Sequence, residues 1–241
     1  MVLGLAVKLL IWSAESVNAS SPSSVKIAIL DSGCNFSYTE GISLIDESIR
    51  DYNGHGTLMA GIIKEVYPEA QLYIIKVIGK DGLAINEEAI TLGLEWAVSR
   101  GVNVINMSLR LKDSERLHEV IRKARDKGVA IVAAAGNKST RMGLATGKGK
   151  INLNEVAYPA KYPEVIAVGA LDRHGRVYDA SIKGKEVEIF CKGYKGKEAG
   201  TSIASAYAAG FVAKIISENP DGNLQNIRDI LHQKSERGEL R

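Results

Sequence analysis

A chain of 241 residues with 45% hydrophobic and 24% charged residues is long enough to bury one full core and is ordinary for a folded domain. A formal net charge of +3 is too small to argue for a nucleic-acid or membrane partner, and no apolar run is long enough to span a bilayer. Two cysteines, Cys34 and Cys191, make no disulfide framework, and neither they nor the four histidines have metal-ligand spacing.

Residues 1–24 carry two readings. Val2 to Trp12 is apolar except for Lys8, and Val17-Asn18-Ala19 resembles a small-residue cleavage site, as in a signal or leader segment. No basic residue precedes the apolar run, however, so an N-terminal arm or helix packed on the domain fits too. The compartment therefore stays open between secreted and cytoplasmic. Ser20 to Ser24 reads as a linker.

Val25–Leu30 is a short β-rich run that ends in Asp31-Ser32-Gly33. An acid just after a buried strand stands where functional acids stand in α/β sheets, or it merely caps the turn. Asn53-Gly54-His55-Gly56-Thr57 opens an apolar helix with a histidine at its start. The glycines on either side permit close approach of other backbone, although a lone histidine is commonly structural. Ala70–Ile78 is a buried strand. Asn86–Arg100 is an amphipathic helix capped by Asn86, with Ile90, Leu94, Ala97 and Val98 on one face and Gly101 as its stop.

Val102–Leu109 is the next strand. Asp113–Lys127 is a helix with Leu117, Val120, Ile121 and Ala124 inward and His118 on its solvated face. Val129–Ala135 is a strand running into Gly136-Asn137, and Lys138–Glu155 is a long surface loop. Val165–Ala170 is another strand. Arg173–Tyr194 reads as a hairpin around Gly184. Ser202–Glu218 is a small-residue helix, Asn223–Gln233 a last helix, and Lys234–Arg241 a charged, frayed tail. Alternating strands and helices predict a doubly wound, mostly parallel α/β sheet with helices on both faces. Sites in such sheets form at the C-terminal ends of the strands, which Asp31, His55, Asn137 and Ser202 can all reach.

An acid, a histidine and a serine can make a nucleophilic triad. Asp31 orients His55, His55 takes the proton of Ser202, and the Asn137 amide with the Ser202 backbone N–H receives the oxyanion. For Ser202 alone, a buried Ala/Gly-rich helix capped by Thr201 or Ser202 is the plainer account.

The local words are more specific than the residue types. Ile27-Ala28-Ile29-Leu30-Asp31-Ser32-Gly33, Gly54-His55-Gly56-Thr57 with Ala60-Gly61, Ala133-Ala134-Ala135-Gly136-Asn137, and Gly200-Thr201-Ser202 with Ala204-Ser205 and Gly210 occur in that order. The chain resembles the subtilisin-like serine peptidases in these four words. The likeness extends through Val104–Leu109 and Tyr158–Ala170, over about residues 25 to 217.

The resemblance implies a catalytic domain over 25–234, flanked by the N-terminal segment 1–24 and the tail 235–241. It implies a serine endopeptidase with Asp31, His55 and Ser202 catalytic, Asn137 at the oxyanion, and a monomer acting on polypeptide. Substrate is expected to lie extended between Gly82-Leu83-Ala84 and Ser108-Leu109-Arg110. A first pocket is expected between Ser108–Arg110 and Ala133–Gly136, including Ala135, with Ala157 on its floor. No cofactor is required. The family's calcium loop is expected to be missing from Gly61–Ala70, with a weaker calcium site elsewhere left open. No long prodomain is expected ahead of the catalytic region.

Arg110 stands where the family usually has glycine, Ala206 where it has proline, and Ala157 where it often has glycine. The Ala157 methyl predicts a preference for small or medium apolar side chains, while Arg110 either attracts acidic substrate positions or points to solvent. The competing function is a catalytically weak, peptide-binding or regulatory relative. A nucleotide-binding protein is disfavoured because no Gly-rich phosphate loop follows the first strand.

Overall fold

The computed structural model describes residues 24–80, 82, 86–138 and 152–241. The arm expected at the N-terminus and most of the Lys138–Glu155 loop lie outside them. Seven strands form one parallel sheet in the order β2-β3-β1-β4-β5-β6-β7. They are β1 Lys26–Asp31, β2 Glu40–Ser43, β3 Gln71–Lys76, β4 Val104–Met107, β5 Ala130–Ala134, β6 Ile166–Leu171 and β7 Ile189–Lys192. A separate antiparallel pair, β8 Tyr194–Lys195 with β9 Glu198–Ala199, precedes α4.

The central strands are apolar on both faces because helices cover both. In β1, Ile27 and Ile29 enter one core while Ala28 and Leu30 enter the other. In β5, Val132 and Ile131 split the same way. The first core packs against α1 His55–Val66, α4 Thr201–Glu218 and α5 Leu224–Glu236. The second packs against α2 Glu87–Ser99 and α3 Glu115–Asp126. Helix α4 is buried along most of its length, so its small residues let it lie against both α1 and the sheet.

The capping residues behave as their chemistry demands. The Asn86 side chain accepts the Glu88 N–H, and the Ser114 side chain accepts that of Leu117. Asn223 and Asn226 close a reciprocal capping box at the start of α5.

Three expectations are corrected. The hairpin around Gly184 is absent. Residues 173–188 form turns with two isolated antiparallel bridges, Val177 to Leu171 and Ser181 to Asn137; Ile189–Lys192 joins the sheet in parallel beside β6, and the next antiparallel pair is the short β8–β9. His118 is half-buried, stacked on Tyr162 at 4.2 Å between ring centroids and 2.9 Å from Glu164 Oε2. The C-terminal tail is docked: Leu240 is buried, and its carbonyl accepts the Lys192 N–H at 2.7 Å.

Candidate active site

Strands β1, β4 and β5 are neighbours in the sheet. Asp31 ends β1, Ser108 follows β4 and Asn137 follows β5, so adjacency in the sheet gathers all three at one edge. Helix α1 begins with His55 and α4 places Ser202 at its second residue, where a backbone N–H has no partner inside the helix.

Asp31 is fully buried, and both of its carboxylate oxygens lie on His55 Nδ1, at 2.8 and 2.9 Å. The carboxylate accepts the proton on Nδ1, which leaves Nε2 as the acceptor nitrogen of the neutral ring. Burial pushes the imidazole pKa down, but the Asp31 charge and hydrogen bond, with smaller help from Asp51 and Glu198, raise it above the ordinary 6.5.

The histidine reaches Asp31 because Gly56 permits it. A Cβ on Gly56 would stand 2.3 Å from the Gly33 carbonyl oxygen and 3.2 Å from Asp31 Cβ. The N-cap of α1, Gly54, has no side chain to cap with. Asp51 takes over that task. It accepts the Thr57 N–H at 2.8 Å, the Thr57 hydroxyl at 2.6 Å and the Gly54 N–H at 2.7 Å. The Ser32 hydroxyl lies 2.9 Å from Asp51 Oδ1 and 3.2 Å from Asp31 Oδ1, and its single proton goes to the nearer oxygen. The same hydroxyl accepts the Gly56 N–H at 2.9 Å. Burial raises the Asp51 pKa, yet the Thr57, Gly54 and Ser32 donors outweigh it and hold the carboxyl below its ordinary range.

Asp51 and Ser32 were not anticipated as site residues. The available signal was an acid two residues before Asn53-Gly54-His55, at the entrance of a helix with no capping side chain.

The Ser202 hydroxyl donates to the Ser108 carbonyl at 3.4 Å and makes no hydrogen bond to His55 in this state. Catalytic hydrogen bonds are often loose before substrate is present. Around it, Ser108 Oγ donates to the Ser202 carbonyl or shares a proton with Ser205 Oγ, at 3.1 and 2.7 Å, and accepts from Asn106 Nδ2 at 3.0 Å. Asn137 Oδ1 accepts the Thr201 N–H at 3.1 Å, which fixes the amide and directs its Nδ2 toward Gly200. The Thr201 hydroxyl in turn accepts the Gly136 N–H at 3.1 Å.

Arg110 does not point to solvent; it is 5% exposed. Nη1 donates to the Asn152 carbonyl at 3.2 Å and Nη2 to the Asn137 carbonyl at 3.3 Å. Burial alone lowers its pKa. Gly136 has φ +106, and a Cβ there would overlap Arg110 Nη2 at 2.2 Å and touch Ala157 Cβ at 3.4 Å. Arg110 therefore packs its guanidinium against Gly136 beside Ala157, next to Ala135, whose carbonyl accepts the Ala157 N–H at 2.9 Å. Leu109 is buried beside it. Gly82 is buried with its N–H on the Gly79 carbonyl, whereas Leu83 and Ala84 lie outside the described residues.

Cys34 and Cys191 are separate, buried thiols in the same core, not a disulfide. Burial raises both pKa values, that of Cys191 to about 12, so neither is a thiolate at neutral pH. Helix α1 runs unbroken to Val66 and β3 starts at Gln71. Among the described residues no group of three or more His, Cys, Asp or Glu is placed to hold a metal, and no helix is long and apolar enough to cross a membrane.

Comparison with known proteins adds family to geometry. A family model described as the Subtilase family matches residues 23–240. Subtilisin DY of Bacillus licheniformis is 35% identical over 234 residues, covering 86% of this chain and 82% of the relative. Subtilisin E of Bacillus subtilis (strain 168) is 33% identical over 237 residues, covering 87% of this chain and 60% of the relative. The fold matches a cold-adapted subtilisin-like serine proteinase with TM-score 0.72 at 24% identity, over 87% of this chain and 81% of the other. It matches a lanthipeptide protease with TM-score 0.73 at 23% identity, over 88% and 80%.

Proposed function

The chain belongs to the subtilase family of serine endopeptidases, and from that premise we propose that it hydrolyses peptide bonds through Asp31, His55 and Ser202. The observation that carries this reading is the buried Asp31 carboxylate with both oxygens on His55 Nδ1, at the sheet edge that also receives the start of α4.

The Ser202 hydroxyl attacks the substrate carbonyl while His55 Nε2 takes its proton. Asp31 stabilises the imidazolium that results. The oxyanion is received by the Ser202 N–H and Asn137 Nδ2, whose orientation is set by the bond from Thr201 N–H to Oδ1. Collapse expels the amine, which leaves with the proton from His55, and an ester remains on Ser202. Water, deprotonated by His55, then attacks the ester and restores the free hydroxyl and a carboxylate product. Substrate lies extended along Ser108–Arg110. No cofactor takes part in these steps.

The Ser202 hydroxyl rests on the Ser108 carbonyl rather than on His55. That contact favours the second reading, a peptide-binding relative of weak activity. A serine-directed phosphonate separates the two. Stoichiometric labelling of Ser202, located by peptide mass mapping and abolished in His55→Ala, is expected. A folded chain whose Ser202 stays unlabelled sinks the peptidase reading.

A further inference from the structure

Arg110 is a charged group that the chemistry above does not use. Its guanidinium carries five N–H donors, yet among the described residues it meets two backbone carbonyls, those of Asn137 and Asn152. Among those residues no carboxylate partners it. Burying a cation without a counter-ion is costly, and an apolar side chain of similar volume would fill the space without that penalty. The charge is held in place by geometry: Gly136, bare of a Cβ, leaves room for Nη2.

The position relative to the serine gives this charge a meaning. Arg110 lies two residues beyond Ser108, whose carbonyl receives the Ser202 hydroxyl. Its Nη2 is bound to the carbonyl of Asn137, whose side-chain amide is fixed by Thr201. A carbonyl under attack by Ser202 must sit between that hydroxyl and the Asn137 amide. The side chain of the residue bearing that carbonyl begins one bond away, beside Gly136-Asn137 and the guanidinium packed on Gly136.

We propose that Arg110 is a specificity residue that selects substrates with Glu or Asp on the acyl side of the bond to be cleaved. A carboxylate that reaches the guanidinium meets N–H donors that the two carbonyls leave over and supplies the missing counter-charge. The side chain that fits is acidic, not the small apolar one that the Ala157 methyl by itself suggested. The inference rests on the peptidase reading, and its test is arranged to fail separately from it.

Peptides identical except for Glu, Asp, Gln, Leu or Phe at that position are compared by kcat/KM. The wild-type chain is expected to favour Glu or Asp over Gln by at least about tenfold, because a site built for a polar partner rejects the analogue lacking it. The ratio falls toward one in Arg110→Gly and in Arg110→Gln, while Arg110→Lys keeps part of it. Equal or faster cleavage after Gln or Leu by the wild type, or an unchanged ratio in Arg110→Gly, overturns the inference and leaves the peptidase reading standing. A second measurement needs no turnover. The Ser202→Ala chain is titrated with product-like peptides ending in Glu or Gln. Tighter binding of the Glu peptide, lost when Arg110→Gly is added, supports the inference even where nothing is cleaved. Equal affinities overturn it.

Discussion

At Asp51 one buried carboxylate gathers the Ser32 hydroxyl and three donors from the Gly54–Thr57 turn, and so sets where His55 begins its helix. Removing it leaves the buried Ser32 hydroxyl and three part-buried donors without this acceptor, at up to about 1–3 kcal/mol each in the general case. Asp51→Ala is therefore expected to lose about 3 kcal/mol or more of stability in denaturant titration. It is also expected to lower kcat, because the ring of His55 is no longer aimed. The linkage has a definite sign. A carboxyl whose pKa is depressed in the fold contributes stability above its unfolded value of 3.8, and that contribution disappears as pH falls through the folded value. The gap in stability between wild type and Asp51→Ala should accordingly narrow below that pH.

His55 supplies the opposite sign. Its pKa is raised above 6.5, and the base must be neutral to accept a proton. The acid limb of kcat/KM is expected to have its midpoint above pH 6.5, and to move down in Glu198→Gln, which removes an exposed negative charge that helps to raise it. A midpoint well below 6.5 contradicts His55 as the base.

Among the elements, α4 is the one on which the rest converge, packing against α1, β4, β5, β6 and β7. Its small residues are a steric requirement. A Cβ at Gly210 would stand 2.7 Å from Val66 Cβ, the end of the helix that begins with His55. Gly210→Val is expected to cost about 1–3 kcal/mol through overpacking. It should lower activity as well, since it pushes apart the two helices that carry His55 and Ser202. Thermal melting and a serine-directed label would read both effects.

Elements with buried, strictly periodic cores could be read from the sequence. Strand β1 with Ile27 and Ile29 opposite Ala28 and Leu30, and α3 with Leu117, Val120, Ile121 and Ala124, are examples. The segment after Leu171 could not. Asp172 ties its own turn through His174 and Arg176, while Ile189–Lys192 is a half-exposed edge strand whose parallel pairing is chosen by β6, far from any local signal. The direction of the Arg110 side chain was equally hidden. Whether it turned to solvent or inward depended on the missing Cβ of Gly136 and on two carbonyls distant in sequence.

Over the whole molecule, one sheet order explains why the candidate site was legible at all. β1, β4 and β5 lie side by side, so three short words far apart in the chain end on one edge, and two helix starts close over them. The words were readable because each is local. Asp51 and Ser32 were not, because their role exists only once that edge is assembled. A cavity of about 280 Å³, lined by Arg125, Pro163, Glu164, Leu224 and Arg228 among others, sits by the start of β5 and β6, at the opposite edge. It plays no part in chemistry that belongs to the C-terminal ends of the strands.

The most direct measurement is hydrolysis of an unfolded protein by the purified chain beside Ser202→Ala, at neutral pH, with folding of both checked by circular dichroism. Cleavage by the wild type that falls by about 10⁴-fold or more in Ser202→Ala is the predicted result, since removal of a nucleophile disables the triad as a unit. Two folded proteins that cleave equally, or a folded wild type that cleaves nothing, contradict the account of Ser202 as the nucleophile of an endopeptidase.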